Sequence, residues 1–236
     1  HNLPHQSIGQ SVAGGMTVTD QNPADTYGVS DAIHRGQVRF KMPDFPFHIY
    51  LEARSEEKRG KIQQRFMNSF TAGDKMSRTR TIDYESQEVK ATVNSHLSWV
   101  EVEYSHAEKK FKDTGDKVLT DTGAVTYKHN QTPEFESTTD TVKVHTSHTG
   151  RIAAAITYAA GDRKNLDSKA KTDFANAAAD FSWIPTKDVT VAVKYRHYSV
   201  ETDNPLTVTD AATSLTYDVR KAINTQRDIL TGLVRY

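Results

Sequence analysis

From about residue 37 onward, apolar and polar side chains alternate at every second position, and this regularity restricts the chain to extended strands with one apolar and one wet face. Phe47, Ile49, Leu51 and Ala53 alternate with His48, Tyr50, Glu52 and Arg54. Val89, Ala91, Val93 and Leu97 alternate with Glu88, Lys90, Thr92, Asn94 and His96. Val100, Val102 and Tyr104 alternate with Glu101, Glu103 and Ser105, and Val142 and Val144 with Lys143 and His145. Val189, Val191, Val193 and Tyr195 alternate with Thr190, Lys194, Arg196 and Tyr198. Several of these runs reach the roughly 9–11 residues that a tilted strand needs to cross a bilayer, whereas soluble strands cluster near about 5–6. The template predicts about ten or eleven strands.

Composition narrows the class. Hydrophobic residues make up 36% of the 236-residue chain and charged ones 25%, too few apolar groups for the core a soluble domain of this length buries. Ten Tyr, nine Phe and two Trp argue against disorder. A β-barrel with a wet interior reconciles these facts, because half of each strand faces water. Lys+Arg and Asp+Glu both number 30, so the basic excess of a nucleic-acid binder is missing. The chain has no cysteine, which excludes a disulfide scaffold, a thiolate metal site, a catalytic thiol and covalent c-type haem. No apolar run approaches the ~18 residues of a membrane helix; the best is Ile152 to Ile156. No signal peptide precedes His1, so a processed chain and a fragment are both open.

Strand pairing can be checked for consistency. A two-residue turn at Ser98-Trp99 sets Leu97 against Val100, Val93 against Tyr104 and Ala91 against His106. On the other face His96 meets Glu101, Asn94 meets Glu103 and Thr92 meets Ser105. A one-residue slip scrambles both faces. A turn at His148-Thr149-Gly150, with Gly150 at positive φ, sets Val142 against Ile156, Val144 against Ala154 and Thr146 against Ile152. A turn at residues 184–188 sets Phe181 against Val191, Ala179 against Val193, Asn176 against Arg196 and Ser182 against Thr190. The Ala-rich stretch Ala175 to Ala179 has helical propensity, but its neighbours pair as strands, so a strand is expected.

These tight turns alternate with a long charged connection, about 109–136, and shorter polar ones at 161–168 and 201–205. The pattern is that of an outer-membrane barrel, with short periplasmic turns and longer extracellular loops. Trp99 and Trp183 sit at tight turns, where an aromatic girdle places them. Residues 1–36 are polar and rich in Gly, Ser, Thr and Asp, which predicts an irregular N-terminal or luminal arm before the barrel strands of 37–236. The expected fold is therefore all-β, an antiparallel transmembrane β-barrel or part of one, in the bacterial outer membrane. A soluble β-sandwich also shows period two and is the competing fold.

No Walker loop, G-x-G-x-x-G, G-x-S-x-G or H-E-x-x-H occurs, so no catalytic residue is nominated and the chain is not expected to be an enzyme. His145 and His148 are three apart and point to opposite faces of a strand, so they do not chelate one ion. His96 opposite Glu101 reads as an ion pair in the lumen rather than a ligand set, and no metal is assigned. Glu101, Glu103, Lys143, His145, Lys194 and Arg196 form the expected lumen or partner-facing set, with Glu52, Arg54 and Arg151 on the same inferred face. Val100, Val102, Val189, Val191 and Val193 are expected to face lipid. Charges of both signs suit a lumen that another polypeptide fills, or a weakly selective pore.

Three segments carry a resemblance: Phe45–Arg54 (FPFHIYLEAR), Gly60–Phe66 (GKIQQRF) and Asn94–His106 (NSHLSWVEVEYSH). His148–Ile152, Gly161–Asn165 and Val193–His197 add to it. Over about residues 37–236 the chain resembles the barrel subunits of porin–multihaem cytochrome conduits, the decahaem-associated outer-membrane proteins. The resemblance implies a barrel that sheathes a multihaem c-type cytochrome. Electrons cross the membrane through the partner's haems, and this chain carries no cofactor of its own. It also implies cysteines near Ser69 to Met76, where this chain has none, and a barrel larger than these strands form, so that the 236 residues are part of a longer chain or a short member. A general diffusion porin and a soluble β-sandwich binding module are the alternatives: the first conducts alone, and the second is soluble without detergent.

Overall fold

The computed structural model describes residues 2–3, 18–41, 43–67, 75–120, 128–129, 131–146, 150–209 and 214–236, and these contain no helix. Nine long strands carry the fold: β1 (Tyr27–Lys41), β2 (Phe47–Met67), β3 (Lys75–Leu97), β4 (Val100–Asp113), β5 (Phe135–Thr146), β6 (Ile152–Asn165), β7 (Lys171–Thr186), β8 (Val189–Asp203) and β9 (Thr225–Arg235). Each pairs antiparallel with the next. The short strands Asn2–Leu3 and Val18–Asp20 complete one eleven-stranded sheet, Asn2–Leu3 against β1 and Val18–Asp20 parallel to the start of β3. Among the described residues no ladder joins β9 to β1, so the sheet is open.

The strands run longer than a bilayer crossing needs: β2 has 21 residues and β3 has 23, against roughly 9–11. Successive connections alternate in kind. At one end lie 42–46, 98–99, 147–151 and 187–188; at the other lie 68–74, 114–134, 166–170 and 204–224. The sheet therefore has a tight-turn end and a loop end.

The first hairpin pairs as expected. Leu97 faces Val100, Val93 faces Tyr104 and His96 faces Glu101, and Ser98 takes a φ of 57° in the two-residue turn. The stretch Ala175 to Ala179 is strand. Gly150 has the expected positive φ of 68°, but the second hairpin is displaced by two residues: Val144 pairs with Ile156 and Val142 with Tyr158. The third is displaced likewise. Phe181 meets Val193, Ala179 meets Tyr195, Ser182 meets Ala192 and Asn176 meets Tyr198. Its turn is only Lys187-Asp188, and a bulge between Trp183 and Thr186 absorbs the extra residues. A shift by two leaves every side chain on its own face, so alternation alone could not detect it.

Other boundaries move as well. β1 begins at Tyr27, ten residues inside the segment expected to be irregular, because polar groups on both its faces hide the strand period. Residues 161–165, expected in a loop, continue β6, and the turn is at 166–170. The connection expected at 201–205 is the longer 204–224, which carries a small hairpin of Thr207–Thr209 with Thr216–Asp218. Gly161 is demanded by packing: a Cβ there would run into the Thr138 carbonyl oxygen and the Phe174 ring.

Candidate functional site

Because partners in an antiparallel ladder share a face, the register sorts the sheet into two surfaces. One row runs Phe40, Ile49, Val93, Tyr104, Val142, Tyr158 across β1 to β6. The row beside it on the other face runs Lys41, His48, Asn94, Glu103, Lys143, Thr157, Ala178, Arg196. The five valines Val100, Val102, Val189, Val191 and Val193 all stand on the apolar face. Glu101, Glu103, Lys143, His145, Lys194 and Arg196 all stand on the polar one, as do Glu52 and Arg54.

Burial is inverted relative to a soluble protein. On the apolar face Phe40 is 55% exposed, Ile156 59% and Phe181 42%, while His48 and Ser105 on the polar face are 7% and 5% exposed. The apolar surface is a band, not the whole face. Starting at the tight turns it ends at Ala53, Val89, Tyr104, Val142, Ala160, Ala175, Tyr195 and Leu230, and the next outward residue on each strand is Ser55, Gln87, His106, Asp140, Asp162, Asp173, His197 or Asp228. Beyond that contour the same face is charged, with Glu57, Arg59, Glu85, Glu108, Lys110, Glu136, Lys164 and Lys171. Phe45, Phe47, Trp99 and Trp183 border the band at the tight-turn end, each at least 40% exposed, and Tyr104, Tyr158 and Tyr195 border it at the loop end.

The polar face pairs many of its own charges. Lys143 Nζ lies 2.8 Å from Glu103. Glu101 is approached by His96, at 3.3 Å, and by His145, at 3.5 Å. Arg54 meets Glu56 at 2.6 Å, Gln37 donates to Glu52 at 2.8 Å, and Arg39 contacts His48 at 3.1 Å and lies over the Tyr50 ring. Between β1 and β3 a recess of about 470 Å³ is lined by Arg35, Gln37, Glu52, Arg54, Glu88 and Lys90, again with both signs. Across β4 to β6 this face carries small residues, Ser105, Thr141 and Ala159 in one row and Ala107, Thr139 and Gly161 in the next, before Asn176 and Phe174 on β7. No group of three or more metal-ligating side chains occurs among the described residues. His148 and its spacing to His145 lie outside them.

At the loop end the described parts of the connection 114–134 pack down onto the polar face. Leu119, 2% exposed, clusters with Phe66 and Met76, and His129 stacks on Phe66 at 4.8 Å. Arg80 donates to the Lys117 carbonyl at 3.2 Å and to Thr132, and faces Asp113 at 3.6 Å. Lys117 in turn holds Asp167 at 2.6 Å and Glu134 at 3.4 Å. Burial disfavours the Lys117 ammonium, but Asp167 and Glu134 outweigh that and raise its pKa above the ordinary lysine value. Burial likewise works against the Asp167 carboxylate, and Lys117 together with the Glu134 backbone N–H pulls its pKa below the ordinary carboxylate range.

Two clusters on the apolar face lay outside the sequence reading. Asp140 accepts from the Tyr104 hydroxyl at 2.6 Å and contacts His106 Nδ1 at 2.9 Å. Asp228 accepts from the Tyr195 hydroxyl at 2.7 Å and contacts His197 Nδ1 at 2.7 Å. The signal for them was the repeated Tyr-x-His at 104–106 and 195–197; the aspartates come from neighbouring strands, which only the register reveals.

No family model matches this sequence, and no curated protein matches it. Among the similar solved structures is in-vitro folded OmpT, an outer membrane protein of Vibrio cholerae. The two superpose with a TM-score of 0.42 and 7% identity, over 86% of this chain and 63% of that one. The chain thus spans less than two thirds of that protein's length.

Proposed function

We propose that this chain forms wall of an outer-membrane β-barrel and that the wall sheathes a multihaem c-type cytochrome. The observation that carries the barrel is the inverted polarity of the long antiparallel sheet. An apolar band that leaves Phe40 55%, Ile156 59% and Leu230 74% exposed would be a heavy aggregation liability in water, and is what a strand wall presents to lipid. In that setting Val100, Val102, Val189, Val191 and Val193 touch hydrocarbon. The tight turns face the periplasm, and the strands project past the outer leaflet into the extracellular medium.

Support for an occupied lumen comes from the polar face. Many of its charges are paired within the wall, and its rows of Ser, Ala and Thr across β4 to β6 let a partner's backbone come close. A wall of this kind sets up no strong one-signed field of the sort that rings of like charge give a selective pore. The likeness of the quoted segments to conduit barrels nominates the cytochrome as occupant. The haems belong to that partner. This chain supplies insulation and positioning, and catalyses nothing.

Detergent extraction of the complex from cells tests the proposal. A Soret band that co-purifies with this chain in fixed ratio supports it. If the purified chain retains no cytochrome and conducts small ions freely in a planar bilayer, the diffusion-porin reading replaces it.

A further inference from the structure

We infer that the paired clusters Tyr104–His106–Asp140 and Tyr195–His197–Asp228 sit in the headgroup layer of the outer leaflet and mark where the hydrocarbon ends; this rests on the barrel-wall reading above. The two clusters are built alike. Each has Tyr and His two apart on one strand, so that both point to the same face, and an Asp directly opposite the His on the next strand. In each the Tyr hydroxyl and the His Nδ1 converge on one carboxylate oxygen.

The chemistry assigns their depth. The carboxylate-bearing side chains of Asp140 and Asp228 are 52% and 50% exposed on a face whose neighbouring rows toward the tight turns are Val, Ile, Leu and Ala. A charged group in hydrocarbon is costly, and two hydrogen bonds do not cover a half-exposed carboxylate. These residues therefore need water or polar headgroups around them. The tyrosines supply the direction. Tyr104 and Tyr195 each stand in the last apolar row and donate to an Asp one row closer to the loop end, so each ring lies against the band while its hydroxyl reaches out of it. Amphipathic aromatics take this orientation at a membrane interface.

Spacing agrees. His106 lies six residues beyond Val100 at its tight turn, and His197 lies eight beyond Val189. At ~3.3 Å per residue and a tilt of about 40°, that places both clusters roughly 15–20 Å above the turns. The turn-side aromatics extend the band toward the ~25 Å of an outer-membrane wall. On β6 and β7, between the clusters, the apolar run also stops at the contour, at Asp162 and Asp173.

The absence of native cysteine makes the test direct. Single variants Val102→Cys and Val193→Cys lie just inside the clusters, and Glu108→Cys and Ser199→Cys the same distance outside the first two. Each is nitroxide-labelled in the chain folded into phosphatidylcholine vesicles, and its collisions with oxygen and with a water-soluble nickel chelate are measured by electron spin resonance. The inference expects oxygen to dominate at 102 and 193, and the nickel chelate to dominate at 108 and 199. Oxygen dominating at 108 or 199 as well overturns it while leaving the barrel wall standing. Nickel dominating at all four positions overturns the membrane reading itself.

Discussion

Arg196 on β8 reaches across to Asp180 on β7, with Nη2 2.9 Å from both carboxylate oxygens, although the residue directly opposite Asp180 is Lys194. Lys194 makes no ion pair among the described residues, so the two cations differ in what they can offer a partner. Reversal of Lys194 (Lys194→Glu) is expected to weaken retention of a lumen occupant while leaving the urea midpoint in detergent unchanged. Arg196→Glu sets two carboxylates against each other and is expected to lower stability by about 0.2–1 kcal/mol, the range for exposed pairs. Urea titration beside a detergent pull-down separates the two. Equal losses of stability for both variants would contradict this division.

The cost of a charge on the apolar face is expected to depend on depth. Val193 lies mid-band, between the tight turn at Val189 and the contour at His197, and is 41% exposed. Val193→Arg should therefore cost roughly 2–4 kcal/mol, and Val189→Arg, at the turn, only about 0–1 kcal/mol. Val191→Arg, two residues from the turn, falls between. Folding titrations into vesicles give the order. Indistinguishable costs along this series would count against a membrane-embedded band.

Much of this was legible in the chain, and the part that was not has physical reasons. The Ser98-Trp99 hairpin was read to the residue because a two-residue turn leaves no slack. The hairpins at 147–151 and 187–188 were read on the correct faces but two residues out, since a shift of two leaves the alternation unchanged; in the second a bulge at 184–185 also enters the register. β1 was hidden over 27–36, where Ser30, Ala32, His34 and Gly36 alternate with Val29, Asp31, Ile33 and Arg35, and neither set is apolar. The small core of Phe66, Met76 and Leu119 beneath the loop joins residues far apart in sequence with no common period, so no pattern announces it. The Tyr–His–Asp clusters needed the ladder to bring in Asp140 and Asp228.

The loop cap has a working pH range that its ion pairs set. Asp167 titrates below the ordinary carboxylate range, so the stability it adds is present above the unfolded value near pH 4 and is lost as pH falls through the lower folded value. Lys117 titrates above the ordinary lysine range, so its contribution is full below about pH 10 and is lost as pH rises through the higher folded value. The tether of 114–118 to the 166–170 turn is therefore expected to hold across neutral pH and to open at both extremes. Lys117→Met should open it at every pH. Limited proteolysis of the 114–134 connection reports this, with an acid-stable protease for the low arm. A wild-type cut rate that rises at neutral pH would refute it.

Arg80 and Asp113 form a buried pair, with side chains 5% and 0% exposed and 3.6 Å apart. Arg80 also fixes the loop through the Lys117 carbonyl, and Asp113 accepts the Gly115 N–H at 3.0 Å. Removing one partner of a buried pair costs up to about 3–5 kcal/mol, less where the survivor keeps other hydrogen bonds as Arg80 does, whereas replacing both with apolar side chains of similar size is far milder. Asp113→Ala is thus expected to release the loop from the polar face, and Arg80→Met combined with Asp113→Leu to restore much of its docking. Hydrogen exchange at the amides of Thr114, Asp116 and Thr132, which bond Asp83, Thr81 and Lys117, reads the docking directly. These amides should exchange fastest in Asp113→Ala, while the β7–β8 ladder stays protected in every variant. A double variant that exchanges as fast as the single one would show that the loop is held by the charges themselves and not by the packing of Leu119 against Phe66 and Met76.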